Sequence, residues 1–459
     1  MAVYRRKIMN YFFKTIGTLA GIVAAGMFWA ATATARDIPG ITGTTFNLVA
    51  KVGYISSPDG NTIYTWGYAN GTGNMQYPGP TLIVNQGDTI TVNFTNQLPV
   101  NSSIVFPGQT GVTATGGTPG VLTQESSGAM VTYEFTASQP GTFQYHSGTR
   151  QDLQVQMGLV GTIIVRPANF ETKRTAYGVG TDSDYDHEHL FFLSEMDNDI
   201  HLAAENISFQ ASPNFDLIDT TEFKPEYWFI NGRNLPDTVM ADGVPWLPSQ
   251  PYGSYVRAHP GEKVLLRFVG GGVDGHPFHT HGDNLLVIAR DGKLLNSGDP
   301  MDGADLSFSR NTTDPLPGST MDGIFQWTGR GMGWDIYGTG AEFEHGTCGP
   351  ADDTVNNDTG AAGSDGYHDV TWEWCEDHGK EIPVQMPSLL DMSYGGFWSG
   401  SPFLGHGDAL PPGEGGLNPT GGFTFPWHSH HEKEVVNFDV FPGGMFTVFI
   451  VEPYSVTIP

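Results

Sequence analysis

Cysteine is almost missing from this chain: 459 residues hold two, Cys348 and Cys375. A disulfide-dense scaffold is thereby excluded, and no thiolate stands anywhere before Cys348. Basic charge is scarce too, with 21 Lys and Arg against 49 Asp and Glu and a formal net charge of −28. Phosphate binding needs a basic footprint, so nucleic acid and anionic lipid are excluded as partners. No tandem repeat and no long helical period is visible. What is abundant is punctuation, Gly 61 and Pro 31, which points to a turn-rich all-β protein.

The N-terminus reads as an export signal over residues 1–35. Arg5, Arg6, Lys7 and Lys14 form a basic start, Thr18 to Ala31 an apolar run, and Ala33-Thr34-Ala35 a small-residue cleavage site. The apolar run is too short to span a bilayer, so no membrane span remains after cleavage. The expected location is periplasmic or extracellular. In such a compartment Cys348 and Cys375 pair as a disulfide by default. The flanks His345-x-x-Cys348 and Cys375-x-x-His378 offer a tetrahedral metal site as the rival reading.

From Phe46 to Pro167 the chain alternates short β-runs with Gly and Pro. Thr81–Val84 and Thr89–Phe94 are joined by Asn85-Gln86-Gly87-Asp88, most simply as a hairpin. Residues 168–184 read as a linker, and β-rich runs resume at His189-Leu190-Phe191-Phe192-Leu193-Ser194. A stretch over about 329–383, rich in Gly, Asp, Trp and Glu, reads as an irregular insertion. Its Asp352, Asp353, Asn356, Asn357 and Asp358 lack calcium-loop spacing and read as a solvated acidic segment.

The chemistry lies in histidines. Gly275-His276-Pro277-Phe278-His279-Thr280-His281-Gly282 lies upstream of Trp427-His428-Ser429-His430-His431 and Phe441-Pro442-Gly443-Gly444-Met445. Imidazole is a good copper ligand, and several converging on one point are hard to explain structurally. With Pro78-Gly79-Pro80-Thr81, Pro140-Gly141-Thr142-Phe143-Gln144-Tyr145-His146-Ser147 and the run Met157–Val165, these segments resemble multicopper oxidases of the two-domain type, related to nitrite reductases and small laccases. The resemblance implies two cupredoxin-like Greek-key β-sandwich domains, 36–167 and 185–459, the second carrying the insertion.

In that family four His-x-His pairs build a trinuclear copper cluster. The first pair falls here on Val105 and Pro107, and the second on His146 and Gly148. The third, His279 and His281, is complete, and so is the fourth, His428 and His430. Of the blue-copper ligands His276 is retained. The cysteine position is Ser429, the second histidine position Glu434 and the axial position Asp439. A serine hydroxyl gives no soft Cu–S bond. The resemblance thus implies copper at His146, His276, His279, His281, His428 and His430 without a blue copper, and the family's electron wire is broken at Ser429.

Glu434 replaces an imidazole by a carboxylate, able to act as ligand, as orienter of a histidine, or as catalytic proton donor. Gly422, His428, His430 and Glu434 also fit the first metal motif of cupins, which would favour iron, manganese or zinc. The function expected is an exported copper oxidoreductase that takes electrons from a small-molecule or metal-ion reductant, with dioxygen as acceptor. The rival is a non-catalytic copper-binding or scaffold protein. Family precedent also implies a homotrimer in which His146 meets the second domain of a neighbour.

Overall fold

The computed structural model describes residues 37–168, 170, 174–299, 302–336, 348–380, 401–402, 422–454 and 456–458. The expected export signal and His345 lie outside them. The described chain is all-β in character, and its strands form four main sheets. Two sheets come from residues 41–166 and two from residues 187–451, and no strand ladder among the described residues joins one group to the other.

In the first group the strand Thr45–Ser56 begins with strict alternation, turning Phe46, Leu48 and Ala50 inward. It lies between Thr62–Asn70 and Thr89–Asn96, in a five-stranded sheet completed by Val131–Thr136 and Thr110–Thr115. The facing sheet orders Ile41–Thr42, Leu82–Asn85, Val160–Arg166 and Gly141–His146. Trp66, Tyr68, Phe94, Tyr133 and Tyr145 fill the space between them. Each such ring removes roughly 150–250 Å² from water, enough to dominate the core energy.

The hairpin expected across residues 81–94 does not form. Leu82–Asn85 pairs with Val160–Arg166, whereas Thr89–Asn96 pairs with Thr45–Ser56 and Val131–Thr136, so the two runs belong to opposite sheets. The turn itself is present, with Gly87 at φ 92°. It crosses the sandwich edge because its amides are claimed from both sides, Gln86 N–H by Arg166 O at 2.8 Å and Gly87 N–H by Ala137 O at 2.8 Å. Local turn chemistry fixed the reversal, but the partners of each strand were set by long-range pairing.

The second group packs a sheet ordered Tyr227–Ile230, His187–Met196, Lys263–Gly270, Thr320–Gln326, Leu285–Arg290 and Lys293–Leu294 against a second sheet. That second sheet runs Val256–Ala258, Phe446–Val451, Phe423–Ser429, Phe278–Thr280 and Thr312–Thr313. Phe191, Phe268, Phe278, Phe325, Trp427 and Phe449 form its core. A helix that no sequence period announces, Asn198–Ser208, starts where Asp197 accepts hydrogen bonds from the amides of Asp199 and Ile200. It buries Ile200, Ala204 and Ile207, the first-group core's outer cover.

Between the two groups sits a buried ionic network. Glu188, fully buried, pairs with Arg166 and with Arg267 at 3.2 Å, and Arg267 reaches Asp322 at 3.2 Å. Thr142 donates to Asp322 at 2.6 Å, which ties a first-group strand to a second-group strand. Burial alone would raise the Glu188 pKa, but the two guanidinium groups more than offset it and hold the carboxyl at about 2.

In the insertion Cys348 and Cys375 are joined as a disulfide. The acidic side chains shape the backbone: Asp353 accepts from Asp365 N–H and Gly366 N–H, and Asp369 from Thr354 N–H and Val355 N–H. No helix among the described residues is long and apolar enough to cross a membrane.

Candidate metal centre

Two antiparallel strands create the centre. Phe278–Thr280 pairs with Phe423–Ser429 in a register that sets His279 opposite His428 and Phe278 opposite Ser429. Side chains alternate along a strand, so Phe278, Trp427 and Ser429 turn inward and are fully buried, while His279 and His428 share the other face. His281 and His430 each follow two residues later along the same lines. The result is four imidazoles side by side. Ring centroids of His279 lie 4.6 Å from His281, 4.4 Å from His430 and 5.8 Å from His428. His428 in turn lies 5.3 Å from His281 and 5.2 Å from His430.

The backbone around the four rings is pinned. Trp427 Nε1–H donates to His281 O at 2.8 Å, and His430 N–H donates to Pro277 O at 2.7 Å. Gly282, at φ 100°, brings the chain past Phe425 and Trp327, where a Cβ would stand 3.3 Å from both. The exposure is graded: His279 and His281 are buried, His428 half-buried and His430 exposed. The cluster therefore opens to solvent on one side.

Ring nitrogens are assigned by their partners. His279 Nδ1–H donates to Asn311 O at 2.7 Å, and His428 Nδ1–H donates to Ser429 O at 2.9 Å. A carbonyl can only accept, so Nε2 carries the lone pair in both rings. His281 Nε2 stands 3.3 Å from His428 Nε2. Burial pushes the His428 pKa down, further than the Ser429 carbonyl raises it, and so favours the neutral, ligating form. Four neutral-capable imidazoles fit copper by donor chemistry. They form a cluster rather than a finished cage: among the described residues no three His, Cys, Asp or Glu side chains already surround a metal position.

His146 ends the strand Gly141–His146, half-buried, with Nδ1–H donating to Ser147 O at 2.9 Å. Burial lowers its pKa as well. Its described contacts are to Ser147, Val105 and Gln151, none of them in the four-ring cluster. Two of the lost ligand positions meet, since a Cβ on Gly148 would stand 2.7 Å from Val105 Cγ1, while Pro107 is exposed.

His276 lies apart from the four rings. It is fully buried, with Nε2 2.7 Å from Glu195 Oε2 and Nδ1 3.0 Å from Glu434 Oε2. The second contact is an ion pair without hydrogen-bond alignment. Burial would lower the pKa of this ring, but the two carboxylates override that and raise it to about 9. Glu434, itself buried, touches His276 and, at 3.1 Å, His431.

Two carboxylates went unnoticed in the sequence. Glu195 lies on the strand His187–Met196, whose run of apolar neighbours hides it. Asp283, two residues beyond His281, is half-buried, and desolvation raises its carboxyl to about 6. The spacing His281-x-Asp283 was its one available signal.

The chain resembles known proteins in part of its sequence and in its fold. A family model described as multicopper oxidase matches residues 57–169. Multicopper oxidase MCE of Talaromyces pinophilus is 38% identical over 98 residues, 20% of this chain and 16% of that protein. Copper resistance protein A of Escherichia coli is 28% identical over 251 residues, 49% of this chain and 39% of that protein. The chain thus spans well under half the length of these curated relatives. Among solved structures, a blue copper oxidase from Nitrosomonas europaea superposes with a TM-score of 0.51 at 18% identity, covering 88% of this chain and 85% of that one. A multicopper oxidase, mgLAC, gives 0.52 at 18%, covering 90% and 87%. These two likenesses establish the cupredoxin-like fold.

Proposed function

We propose that the chain, whose residues 57–169 match a family model described as multicopper oxidase, is a divergent, copper-using member of that family: an exported oxidoreductase working at an all-imidazole copper centre with no blue copper. The observation that carries this reading is the cluster of His279, His281, His428 and His430, with ring centroids 4.4–5.8 Å apart and Ser429 turned away from it. Copper held there would supply one-electron redox chemistry next to solvent.

The chain's own residues do the rest. Asn311 O and Ser429 O fix the rings of His279 and His428 so that Nε2 presents its lone pair. Exposed His430 leaves the centre accessible, which suits a small-molecule or metal-ion reductant reacting directly, with dioxygen as acceptor. The location proposed is the periplasm or the cell exterior. His146 completes the centre from a neighbouring chain in a homotrimer.

Metal analysis and oxygen uptake test this reading. The purified mature protein should carry copper, and the double variant His279→Ala/His281→Ala should lose most of it while staying folded. Native protein should consume oxygen with a phenolic or metal-ion donor. Unchanged copper content in the double variant would rule out the centre. Copper without oxygen uptake would instead favour the non-catalytic copper-binding role.

A further inference from the structure

We infer that Glu195, His276 and Glu434 form a positioning clasp for the four-imidazole centre, and that His276 stands outside the ligand set of the metal. This rests on the copper reading above but concerns different residues. The clasp joins three separate pieces of chain. Glu195 comes from the strand His187–Met196, His276 from the loop 271–277, and Glu434 from the short helical turn Glu432–Val435. The loop runs straight into His279 and His281. The turn begins directly after His428 and His430. One buried imidazole therefore couples the exits and entrances of both ligand pairs.

Geometry makes the ring a clasp rather than a donor. Its two nitrogens face opposite carboxylates, at 2.7 and 3.0 Å. Glu195 and Glu434 consequently lie on opposite sides of the ring and cannot surround one ion together with it. Glu195 is occupied further: its Oε1 accepts from Val273 N–H at 2.5 Å and Asp274 N–H at 3.0 Å. Those bonds hold the loop in place through its backbone. Gly272 is required there, because a Cβ would meet Glu195 Oε2 at 1.9 Å. On the other side Met445 N–H donates to Glu434 O at 2.8 Å and Ser429 N–H to Met445 O at 3.1 Å, which connects the turn back to the strand bearing His428.

Energetics demand all three members. All three side chains are at most 3% exposed. A buried charge stripped of its partner is strongly unfavourable, so removing one group drives the others toward water and pulls the loop and turn with them. The strand ladder sets His279 opposite His428, and the clasp adds a second constraint at the loop that enters one ligand pair and the turn that leaves the other.

The test uses copper titration and electron paramagnetic resonance on the full mature protein. The variants are His276→Gln, Glu195→Gln and Glu434→Gln, each checked for folding by circular dichroism. The expected result is native copper stoichiometry with affinity weakened roughly 10- to 100-fold, as for groups that orient ligands. The nitrogen couplings of the bound copper should keep their number and change in size. Loss of a copper equivalent or a nitrogen coupling in His276→Gln would make His276 a ligand and overturn the clasp. Folded variants with native affinity and spectrum would reduce it to a structural ion pair and overturn it equally. If His276→Gln does not fold, the isosteric Glu434→Gln variant gives the same decision. Native protein that binds no copper would overturn the centre itself, which is a different outcome from native binding with indifferent variants.

Discussion

His279 and His428 stand opposite each other across an antiparallel pair of strands, ring centroids 5.8 Å apart, while their neighbours Phe278 and Ser429 face the core. One strand thus divides its work between binding and folding, residue by residue. His428→Ala should remove most bound copper and shift the unfolding midpoint little, because the half-buried ring packs on the other histidines and on Phe446, which is itself only partly buried. Trp427→Ala, one residue away, should destabilise by about 3–5 kcal/mol. Copper analysis and urea unfolding of the two variants check the division. A His428→Ala protein as unstable as Trp427→Ala would contradict it.

That division was legible in the sequence, since His-x-His spacing on a strand puts both rings on one face. The clasp was not. Glu195 lies far from His276 in the chain, and nothing local marks it as the partner of a ring it meets only through sheet packing. The hairpin read across residues 81–94 failed for the same reason: Gly87 announces a turn, but which sheet receives each strand depends on Val160–Arg166 and Thr45–Ser56. The helix Asn198–Ser208 escaped because a single amphipathic stretch of this length carries little periodicity. Cys348 and Cys375 allowed two readings, and only the fold brings the two sulfurs into a bond.

Stability of the metal-free protein should fall on the alkaline side. His276 titrates at about 9 in the folded state against an ordinary 6.5. A raised pKa means the stabilising contribution is fully present below about pH 6.5 and is lost as pH rises through about 9. The shift corresponds to about 3 kcal/mol. Urea midpoints measured from pH 6 to pH 10 should decline across that window, and His276→Gln should remove the decline. An equally steep decline in the variant would place its origin elsewhere.

The network between the two pairs of sheets predicts the opposite pH dependence. Glu188 is held at about 2, below its ordinary 4.5, so its contribution is present above about 4.5 and lost as pH falls through about 2. Glu188→Gln leaves Arg166 and Arg267 facing each other without their shared carboxylate. The expected cost is about 3–5 kcal/mol, measured as a shift of the denaturant midpoint at pH 7. A cost below 1 kcal/mol, as for an exposed pair, would show that the network is not buried in solution.

Restoring the thiolate should not restore a blue centre. Ser429→Cys supplies the sulfur that copper needs, but both nitrogens of His276 remain engaged by Glu195 and Glu434. The copper-loaded variant should therefore show no intense blue copper–thiolate absorption. A strong blue band from this single substitution would mean that the two carboxylates release His276 to the metal.

The last prediction concerns assembly. His146 presents Nε2 at the end of its strand, because Nδ1–H is spent on Ser147 O, and its described contacts leave the four rings untouched. Near it, Thr149 is bonded to Glu125, on a hairpin whose tip exposes Val121 at 92% and Leu122 at 56%. Apolar side chains so exposed beside a ligand-bearing strand suit burial against another copy of the chain. A head-to-tail contact that repeats must close into a ring or grow without limit, and the family resemblance implies a ring of three. Sedimentation of the mature protein should give a trimer, and Leu122→Asp should dissociate it and weaken copper binding together. A monomer with full copper affinity that His146→Ala still diminishes would mean that the ring closes the centre within its own chain.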